Sequence, residues 1–178
     1  WNEASNTTTF FFSEGWVNLM YEYAITNIFA PWIQLKNINM SGENPNKEMY
    51  AIAQISKIMG LHRSTDKFGP IPYKQVGNGS FTVEYDSQES VYRSFFEELD
   101  EAVTVLYDFY MKANNTVPMA SDVVYEGDVT KWIRLANSLM LRLAIRVRYA
   151  DEVLARTYAE KAIKNPIGVM ESIDDMAK

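Results

Sequence analysis

The 178-residue sequence contains no cysteine, and its only histidine is His62. Without cysteine the chain can form neither a disulfide nor a thiolate site for zinc or nucleophilic catalysis. One histidine cannot build a multi-histidine metal centre, and we predict a structural or surface role for it. We therefore expect no catalytic residues, no metal ion and no cofactor.

Positive charge and long apolar runs are also scarce. The chain has 17 basic against 23 acidic residues, a net charge of -6, and no basic patch with interleaved aromatics. Such a field repels phosphate backbones. Charged or amide residues interrupt every apolar stretch before it is long enough to span a bilayer. We therefore expect neither a nucleic-acid partner nor a transmembrane segment.

Aromatic residues, in contrast, are abundant at 13% of the chain. Most should lie in the core of a single domain. The segment WNEASNTTTFFF, residues 1–12, differs because it mixes aromatics with amides and hydroxyls, as sugar-binding sites do. Trp1 and Asn6 are the candidate ligand-binding residues. Alternatively, the phenylalanines enter the core and the rest is a frayed terminus.

The spacing of apolar residues predicts an all-α fold of about five helices joined by long loops. In the first helix, for example, Trp16, Leu19 and Tyr23 recur at helical intervals. Little strand is expected. The predicted helices cover residues 13–36, 45–66, 86–112, 129–149 and 152–164.

Proline and glycine interrupt this pattern in two places. Pro31 should kink or divide the first helix. In TDKFGPIPY, Thr65–Tyr73, Gly69 can adopt positive φ and Pro70 cannot continue a helix. The second helix should therefore end near Asp66, and the chain should leave through a rigid arm.

Side-chain acceptors mark the starts of the last four helices. Asn44 precedes a proline suited to the first helical turn, and Asp86 is followed by Glu89 in a capping-box pattern. Asp128 and Asp151 are the other two predicted N-caps.

Opposite charges distinguish the third and fourth predicted helices. Residues 86–112 hold seven acids and two bases, whereas residues 128–149 hold five bases and one acid. We therefore expect these two helices to pack side by side.

Two features have competing interpretations, and we favour the structural one for both. The acidic cluster is an acid pair or cation site, or a solvated face neutralised by the fourth helix. For Arg142 and Arg146, one interpretation is that they clamp a ligand carboxylate. The other is that they pair with the acidic third helix. The acidic cluster comprises Glu97, Glu98, Asp100 and Glu101.

Four stretches, in this order, resemble one protein family. They are MYAIAQISKIMGLHR (49–63), TDKFGPIPY (65–73), YDSQESVYRSFFEELDEAV (85–103) and SDVVYEGDVTKWIRLANSLMLRLAIRVR (121–148). Together they are similar to the SusD/RagB-type, or SusD-like, lipoproteins of Bacteroidetes. The resemblance spans about residues 16–150.

The resemblance implies a surface-exposed, lipid-anchored outer-membrane protein. Such proteins capture nutrients, usually glycan oligomers, and hand them to a SusC-like TonB-dependent transporter. The implied fold consists of helix pairs similar to tetratricopeptide repeats. In that fold Asp66 caps or braces the arm, and Trp132 and Leu139 anchor the helical layer.

Family chains are several hundred residues long and begin with a lipoprotein signal and a lipid-bearing cysteine. We therefore expect residues 1–178 to form a single α-helical domain that is an N-terminal portion of a longer chain. Much of the ligand site would then lie on other segments, and only the residues before the first helix would contribute to it.

Non-catalytic capture of an oligosaccharide or another nutrient is the favoured function. The alternative is a helical scaffold that binds protein segments, including the transporter, and no small ligand. A glycoside hydrolase is disfavoured because no isolated acid lies in an apolar setting. Capture predicts exposed Trp and Tyr flanked by Asn, Asp or Gln on one face. A scaffold predicts that nearly all four tryptophans are buried.

Overall fold

A computed structural model describes residues 14–112, 115–118 and 122–177. A π-helical turn, Ile25–Phe29, joins the first two helices into one continuous rod, so the predicted all-α fold of five helices is confirmed. Extended structure in the described ranges is limited to two isolated bridges. The helices are α1 (Glu14–Ala24), α2 (Ala30–Ser41), α3 (Lys47–Phe68), α4 (Gln88–Met111), α5 (Val129–Val147) and α6 (Glu152–Lys164).

Pro31 does not end the first helix. It lies in the first turn of α2, directly after the π turn, and the helix continues to Ser41 instead of ending near residue 36. Proline cannot donate the usual backbone hydrogen bond, and π turns occur where the helical ladder is locally disrupted. The irregularity therefore lies before the proline, and the helix is not divided.

Two of the predicted caps are confirmed. The Asp128 carboxylate accepts the Thr130 and Lys131 N–H groups at 2.9 and 3.2 Å, and Asp151 accepts the Leu154 N–H at 2.9 Å. Both residues are extended and lie immediately before the first helical residue. They satisfy donors that the helix itself leaves unpaired.

The predicted cap at Asn44 is wrong by two residues. Asn46 caps α3, and its side chain accepts the Met49 N–H at 2.9 Å. Pro45 therefore precedes the cap and does not occupy the first helical turn. Asparagine at either position satisfies the sequence rule, so the rule alone could not choose between them.

The predicted Asp86–Glu89 capping box is also wrong. Ser87 caps α4, while Asp86 is used one residue earlier to fasten the arm. The Asp86 carboxylate accepts the backbone N–H groups of Tyr73 and Lys74 at 3.2 and 2.8 Å. A carboxylate engaged with the arm is not available to the helix terminus.

The TDKFGPIPY arm turns at Gly69, as expected. This glycine has φ of +75°, and its N–H bonds the Thr65 carbonyl at 2.8 Å. The arm then buries Ile71 and Tyr73, and Ile71 pairs with Asp86 in an isolated bridge. The helix stop therefore directs two alternate side chains of the arm into the core.

An ion pair and a hydrogen bond show how α3 and α4 are ordered. Lys57 contacts Glu98, whereas Asp66, farther along α3, contacts Tyr92, earlier on α4, so the two helices are antiparallel. The contacts fall mainly within the pairs α3–α4 and α5–α6, and α4 packs against α5 to join the pairs. Short-range pairing of consecutive helices fits the tetratricopeptide-like arrangement.

Helices α4 and α5 pack side by side as predicted, but charge is not the reason. No ion pair between these two helices occurs in the described part of the chain. Glu98 pairs with Lys57 on α3, and Asp100 pairs with Lys161 on α6 at 2.5 Å. The α4–α5 interface instead forms from apolar side chains, with Phe95, Leu99, Ile133 and Leu143 fully buried. Two members of the acidic cluster, Glu98 and Asp100, thus pair within the protein, with partners other than the expected ones.

Lys57 lies in the core with only 2% of its side chain exposed. Its Nζ is 2.8 Å from a Glu98 oxygen and 4.0 and 4.6 Å from the ring centres of Trp32 and Tyr73. The Tyr73 hydroxyl donates to the same carboxylate. Burial lowers the pKa of Lys57, against the opposing effect of Glu98, and burial beside Glu98 raises the pKa of Tyr73. We call Trp32, Lys57, Tyr73 and Glu98 the buried-charge network.

The tyrosines predict a loss of stability at alkaline pH. Burial raises the pKa of Tyr50 to about 12 and raises those of Tyr73 and Tyr92 as well, above the value near 10 of an unfolded chain. The unfolded state therefore releases these protons first, and stability should fall from about pH 10 upward. The lowered pKa of Lys57 acts oppositely, but its contribution is complete near the unfolded lysine value of about 10.4.

Urea denaturation at several pH values, with tyrosinate absorbance recorded in parallel, checks this prediction. Tyr50→Phe should remove part of the decline above about pH 10. Stability that stays constant while all tyrosines ionise near pH 10 would contradict it.

Side chains of α5 hold the segment that follows α6. The Asn137 amide donates to the Gly168 carbonyl at 2.7 Å, and the Arg134 guanidinium pairs with Asp175 at 2.9 Å. Hydrogen bonds from the Glu171 N–H and Arg134 lower the pKa of Asp175 to about 2. Within the motif on this helix, Trp132 and Leu139 are buried, as the family resemblance implied.

Candidate functional site

An exposed row of apolar and amide side chains runs along the first helix. Trp16 is 69% exposed, Tyr23 is 57% exposed, and Leu19 and Asn27 are exposed as well. Residues three and four apart lie on one side of a helix, so these four share a face. We call Trp16, Leu19, Tyr23 and Asn27 the aromatic face.

The opposite side of the same helix packs onto the core. Tyr21, Ala24 and Ile28 are partly buried there, and a Cβ on Gly60 of α3 would lie 2.5 Å from the Ile28 methyl. Anchoring the helix therefore needs only that side. The aromatic face is surplus to packing among the described residues, and a contiguous apolar surface of this kind is typical of a binding site.

The 74–86 loop presents a second exposed aromatic group. Phe81 is fully exposed and Tyr85 is largely exposed. The loop tip is held by Asn78, whose side chain accepts the Ser80 N–H at 2.9 Å. The Tyr21 hydroxyl donates to the Tyr85 hydroxyl at 2.8 Å, and this bond links the loop to α1. The loop is therefore attached to α1 through Tyr21, which lies on the packed side of the helix.

The aromatic face and the exposed loop aromatics have the chemistry of saccharide recognition. Aromatic rings offer broad apolar faces for the C–H groups of sugars, and tyrosine hydroxyls and asparagine amides bond sugar hydroxyls. The π turn that carries Asn27 is a local helix irregularity of the kind that is frequent at functional sites.

A charged cleft of about 390 Å³ lies where the ends of α3–α6 meet. Arg146 pairs with Asp66 at 2.6 Å, and the Tyr92 hydroxyl donates to the same carboxylate. Arg93 pairs with Asp151 at 2.8 Å, and burial beside Asp66 raises the pKa of Tyr92. Because these charges neutralise one another, the cleft braces the four helices. Asp66 thus links helices instead of bracing the arm, which Asp86 fastens.

The two arginines predicted as a pair point to different partners. Arg146 binds a carboxylate of the protein itself, but on α3 and not on the acidic α4, so that expectation is corrected. Asp66 lies near the C-terminal end of α3 and Arg146 near that of α5. The two ends meet because α3 and α5 run in the same direction. Arg142 instead lines a cavity beside His62. The structure places His62 in the core, 2% exposed.

The predicted ligand residues Trp1 and Asn6 lie outside the described residues and stay predictions. Sequence reasoning missed Trp16, Tyr23 and Asn27, because their helical spacing equally predicts a core face. The available signal was an excess of apolar positions: Ile28 and Tyr21 already supply the packed side. A helix with two apolar sides packs on the core through one of them, so the other side indicates a second binding surface.

Residues 14–112, 115–118 and 122–177 contain no group of three or more histidine, aspartate or glutamate side chains arranged for a metal ion. Within the same ranges, each helix is either too short or too polar to cross a membrane.

Comparison with known proteins assigns the whole chain to one family. Residues 1–178 match the SusD-like family, described as SusD and RagB outer membrane lipoproteins. A search of functionally curated proteins gave no significant match.

Three solved structures are similar to this chain. A chitin-binding SusD homologue from Flavobacterium johnsoniae is 35% identical over 99% of this chain and 36% of its own, with a TM-score of 0.90. A SusD homologue from Bacteroides uniformis is 41% identical over 86% and 30%, with a TM-score of 0.75. A SusD-like protein from Bacteroides thetaiotaomicron is 30% identical over 99% and 36%, with a TM-score of 0.85.

The chain thus spans about a third of the length of these structures. The family match includes all four stretches that carried the resemblance and extends beyond residues 16–150. The chain belongs to the SusD-like family of outer-membrane lipoproteins.

Proposed function

We propose that this chain is part of a cell-surface protein that captures glycan oligomers, or similar nutrients, and delivers them to a SusC-like TonB-dependent transporter. Binding involves no bond cleavage. The protein is held at the outer membrane by a lipid anchor. Membership of the SusD-like family supports the location, and the aromatic face supports the ligand class.

The aromatic face is the observation that carries this proposal. Capture requires exposed Trp and Tyr beside amides on one face, and Trp16, Tyr23 and Asn27 meet that condition. Of the three tryptophans described, the other two are buried. The scaffold alternative predicts that nearly all tryptophans are buried, so the exposed Trp16 beside an amide favours capture.

The first ligands to test are chitin oligosaccharides, because the Flavobacterium johnsoniae neighbour is a chitin-binding homologue. Their N-acetyl and pyranose groups offer both apolar faces and amide hydrogen-bond partners. Other neutral oligosaccharides provide the comparison series.

Trp16→Ala should weaken oligosaccharide binding by about tenfold or more, since truncating a central aromatic anchor typically costs more than about 1 kcal/mol. Tyr23→Ala should weaken it less, because the smaller ring covers less of the ligand. Isothermal titration measures both effects. Trp1→Ala and Asn6→Ala, titrated alongside, test the residues predicted from sequence.

Tyr149→Ala is the matched control, since Tyr149 is 88% exposed but follows the end of α5. It should leave binding unchanged. If no oligosaccharide binds the folded protein, or if Trp16→Ala and Tyr149→Ala behave alike, the aromatic face is not a glycan site. Binding of a peptide segment of the transporter to that face would then favour the scaffold function.

A further inference from the structure

A second cavity, of about 540 Å³, lies between α3 and α5 and opens to solvent. Arg63 and Arg142 stand exposed at it, and His62 and Ser138 also line it. The remaining lining is apolar apart from a glycine backbone, and it includes no acidic side chain. The apolar lining residues are Met59, Leu135, Leu139 and Met170.

Both arginines lack a counter-charge. Among the described residues, neither Arg63 nor Arg142 forms an ion pair or a side-chain hydrogen bond. The other arginines of the described ranges are engaged: Arg148 stacks on Tyr149, and the rest form ion pairs through Arg93, Arg134, Arg146 and Arg156. Two unpaired guanidinium groups at one cavity are notable in a chain of net charge -6.

The nearby carboxylate cannot supply the missing charge. Asp66 acts electrostatically on His62, but its oxygens already bind Arg146 and the Tyr92 hydroxyl. The cavity between α3 and α5 therefore keeps a net positive lining.

His62 adds an independent observation. Its Nδ1 lies 3.2 Å from the Ile58 carbonyl, and its Nε2 is buried with no hydrogen-bond partner in the described structure. Burial lowers the pKa of this imidazole. An unpartnered buried polar atom is costly and uncommon in native proteins. Because Nδ1–H donates to the Ile58 carbonyl and the ring is neutral, Nε2 is an acceptor, and its position in the cavity wall indicates that a donor such as a saccharide hydroxyl is missing there.

Ser138 contributes a free donor. Its Oγ accepts the Met170 N–H at 2.8 Å, which leaves its own O–H available. Arg142 lies four residues later on α5 and therefore on the same side of the helix. A hydroxyl and two guanidinium groups thus line one concave site with an apolar floor.

We propose that this cavity binds the carboxylate or sulfate group of an acidic saccharide. Guanidinium groups bind such anions through paired hydrogen bonds, and the apolar side chains pack against the sugar ring. The volume lies within the usual range of small-ligand sites, whereas the net negative charge of the chain repels an extended acidic protein surface. That the anion belongs to a saccharide rests on the proposed function. That the cavity binds an anion rests on the cavity alone.

His62 makes the test specific, because it is the only histidine in the chain. NMR spectra of the 178-residue protein record its ring resonances at constant pH. The titrants are a glucuronic-acid-containing disaccharide, its neutral counterpart, sodium sulfate and a glutamate-rich peptide. The acidic disaccharide should give a saturable shift and the neutral one none. Sulfate should compete with the acidic disaccharide.

Variants separate the cavity from non-specific charge effects. Arg63→Gln and Arg142→Gln should each weaken the acidic disaccharide by about tenfold, or about 1.4 kcal/mol. Arg148→Gln, a control on the same helical segment, should not. Melting curves verify that all three variants remain folded.

Three results would overturn the proposal: no saturable shift, equal shifts with both disaccharides, or undiminished binding in the Arg63→Gln/Arg142→Gln variant. Tighter binding of the glutamate-rich peptide, lost in that variant, would also overturn it and assign the cavity to a protein partner. Titration of the same variant with chitin oligosaccharides separates the two proposals. If that variant still binds chitin oligosaccharides, the aromatic face is supported as their site, whatever the result for the acidic disaccharide.

Discussion

Replacing Trp132 with alanine should lower the free energy of unfolding by about 3–5 kcal/mol, the usual cost of removing a large aromatic from a core. The side chain is 2% exposed. Its ring meets Tyr125 edge-on at 5.2 Å, and its Nε1–H donates to the Asp122 carboxylate at 2.7 Å. The substitution removes packing and a hydrogen bond to a charged acceptor together.

The effect should extend to the loop before α5, because Asp122 organises that loop. Its carboxylate also accepts the N–H groups of Val124, Tyr125 and Gly127. Burial acts to raise the pKa of Asp122, and the hydrogen bonds, with Trp132 first among them, outweigh burial and lower it. Gly127 has φ of +80°, so this turn tolerates few alternatives.

Urea denaturation followed by far-ultraviolet circular dichroism measures the change without relying on tryptophan emission. Trp16→Ala is the matched control, since the same truncation at an exposed position should alter stability by no more than about 0.5 kcal/mol. Equal losses at the two positions would mean that Trp16 is a core residue of the folded protein, and would remove the basis for the aromatic face.

These two tryptophans show what the sequence could and could not predict. Both lie at helical spacing, so periodicity assigns each to a helix but not to a partner surface. Trp132 also lies in a family motif whose resemblance implied an anchoring role. Trp16 has no such signal, and its exposure depends on which side of α1 faces α3, a tertiary property that one helix cannot specify.

The errors at helix ends have a related cause. Asp86 and Ser87 are both good caps, and the choice between them depends on the arm, which occupies the Asp86 carboxylate. Similarly, α4 lies beside α5 as predicted but without ion pairs between the two helices in the described structure, and Glu98 and Arg146 both pair with α3. Local chemistry predicts which groups need partners, and the three-dimensional arrangement decides which partners are within reach.

Replacing Glu98 with glutamine should cost about 3–5 kcal/mol of stability, although Glu98 was assigned from sequence to a solvated face. The reason is Lys57, whose ammonium group has Glu98 as its ion-pair partner in the described structure. The substitution leaves a buried positive charge with no counter-charge, facing a neutral amide and the rings of Trp32 and Tyr73. Ring faces compensate a desolvated cation only in part.

The double variant Lys57→Met/Glu98→Gln makes this prediction specific to charge. Methionine has a similar length and needs no counter-charge, so the double variant should recover to within about 1 kcal/mol of the wild type, since buried ion pairs are often replaceable by apolar groups. Glu97→Gln, an exposed neighbour on α4, should change stability by no more than about 0.5 kcal/mol. Urea denaturation of the wild type, Lys57→Met, Glu98→Gln and the double variant gives the coupling through a double-mutant cycle, with Glu97→Gln measured alongside.

The pH dependence of the single variant distinguishes charge from packing. Without Glu98 the pKa of Lys57 should fall further, because the carboxylate is what raises it against burial. A folded-state value below the unfolded one means that stability increases with pH until the unfolded lysine deprotonates near pH 10.4. Glu98→Gln should therefore regain stability relative to the wild type between neutral pH and about pH 10. If it does not, and if the double variant is no more stable than the single one, Lys57 and Glu98 act through packing and not through charge.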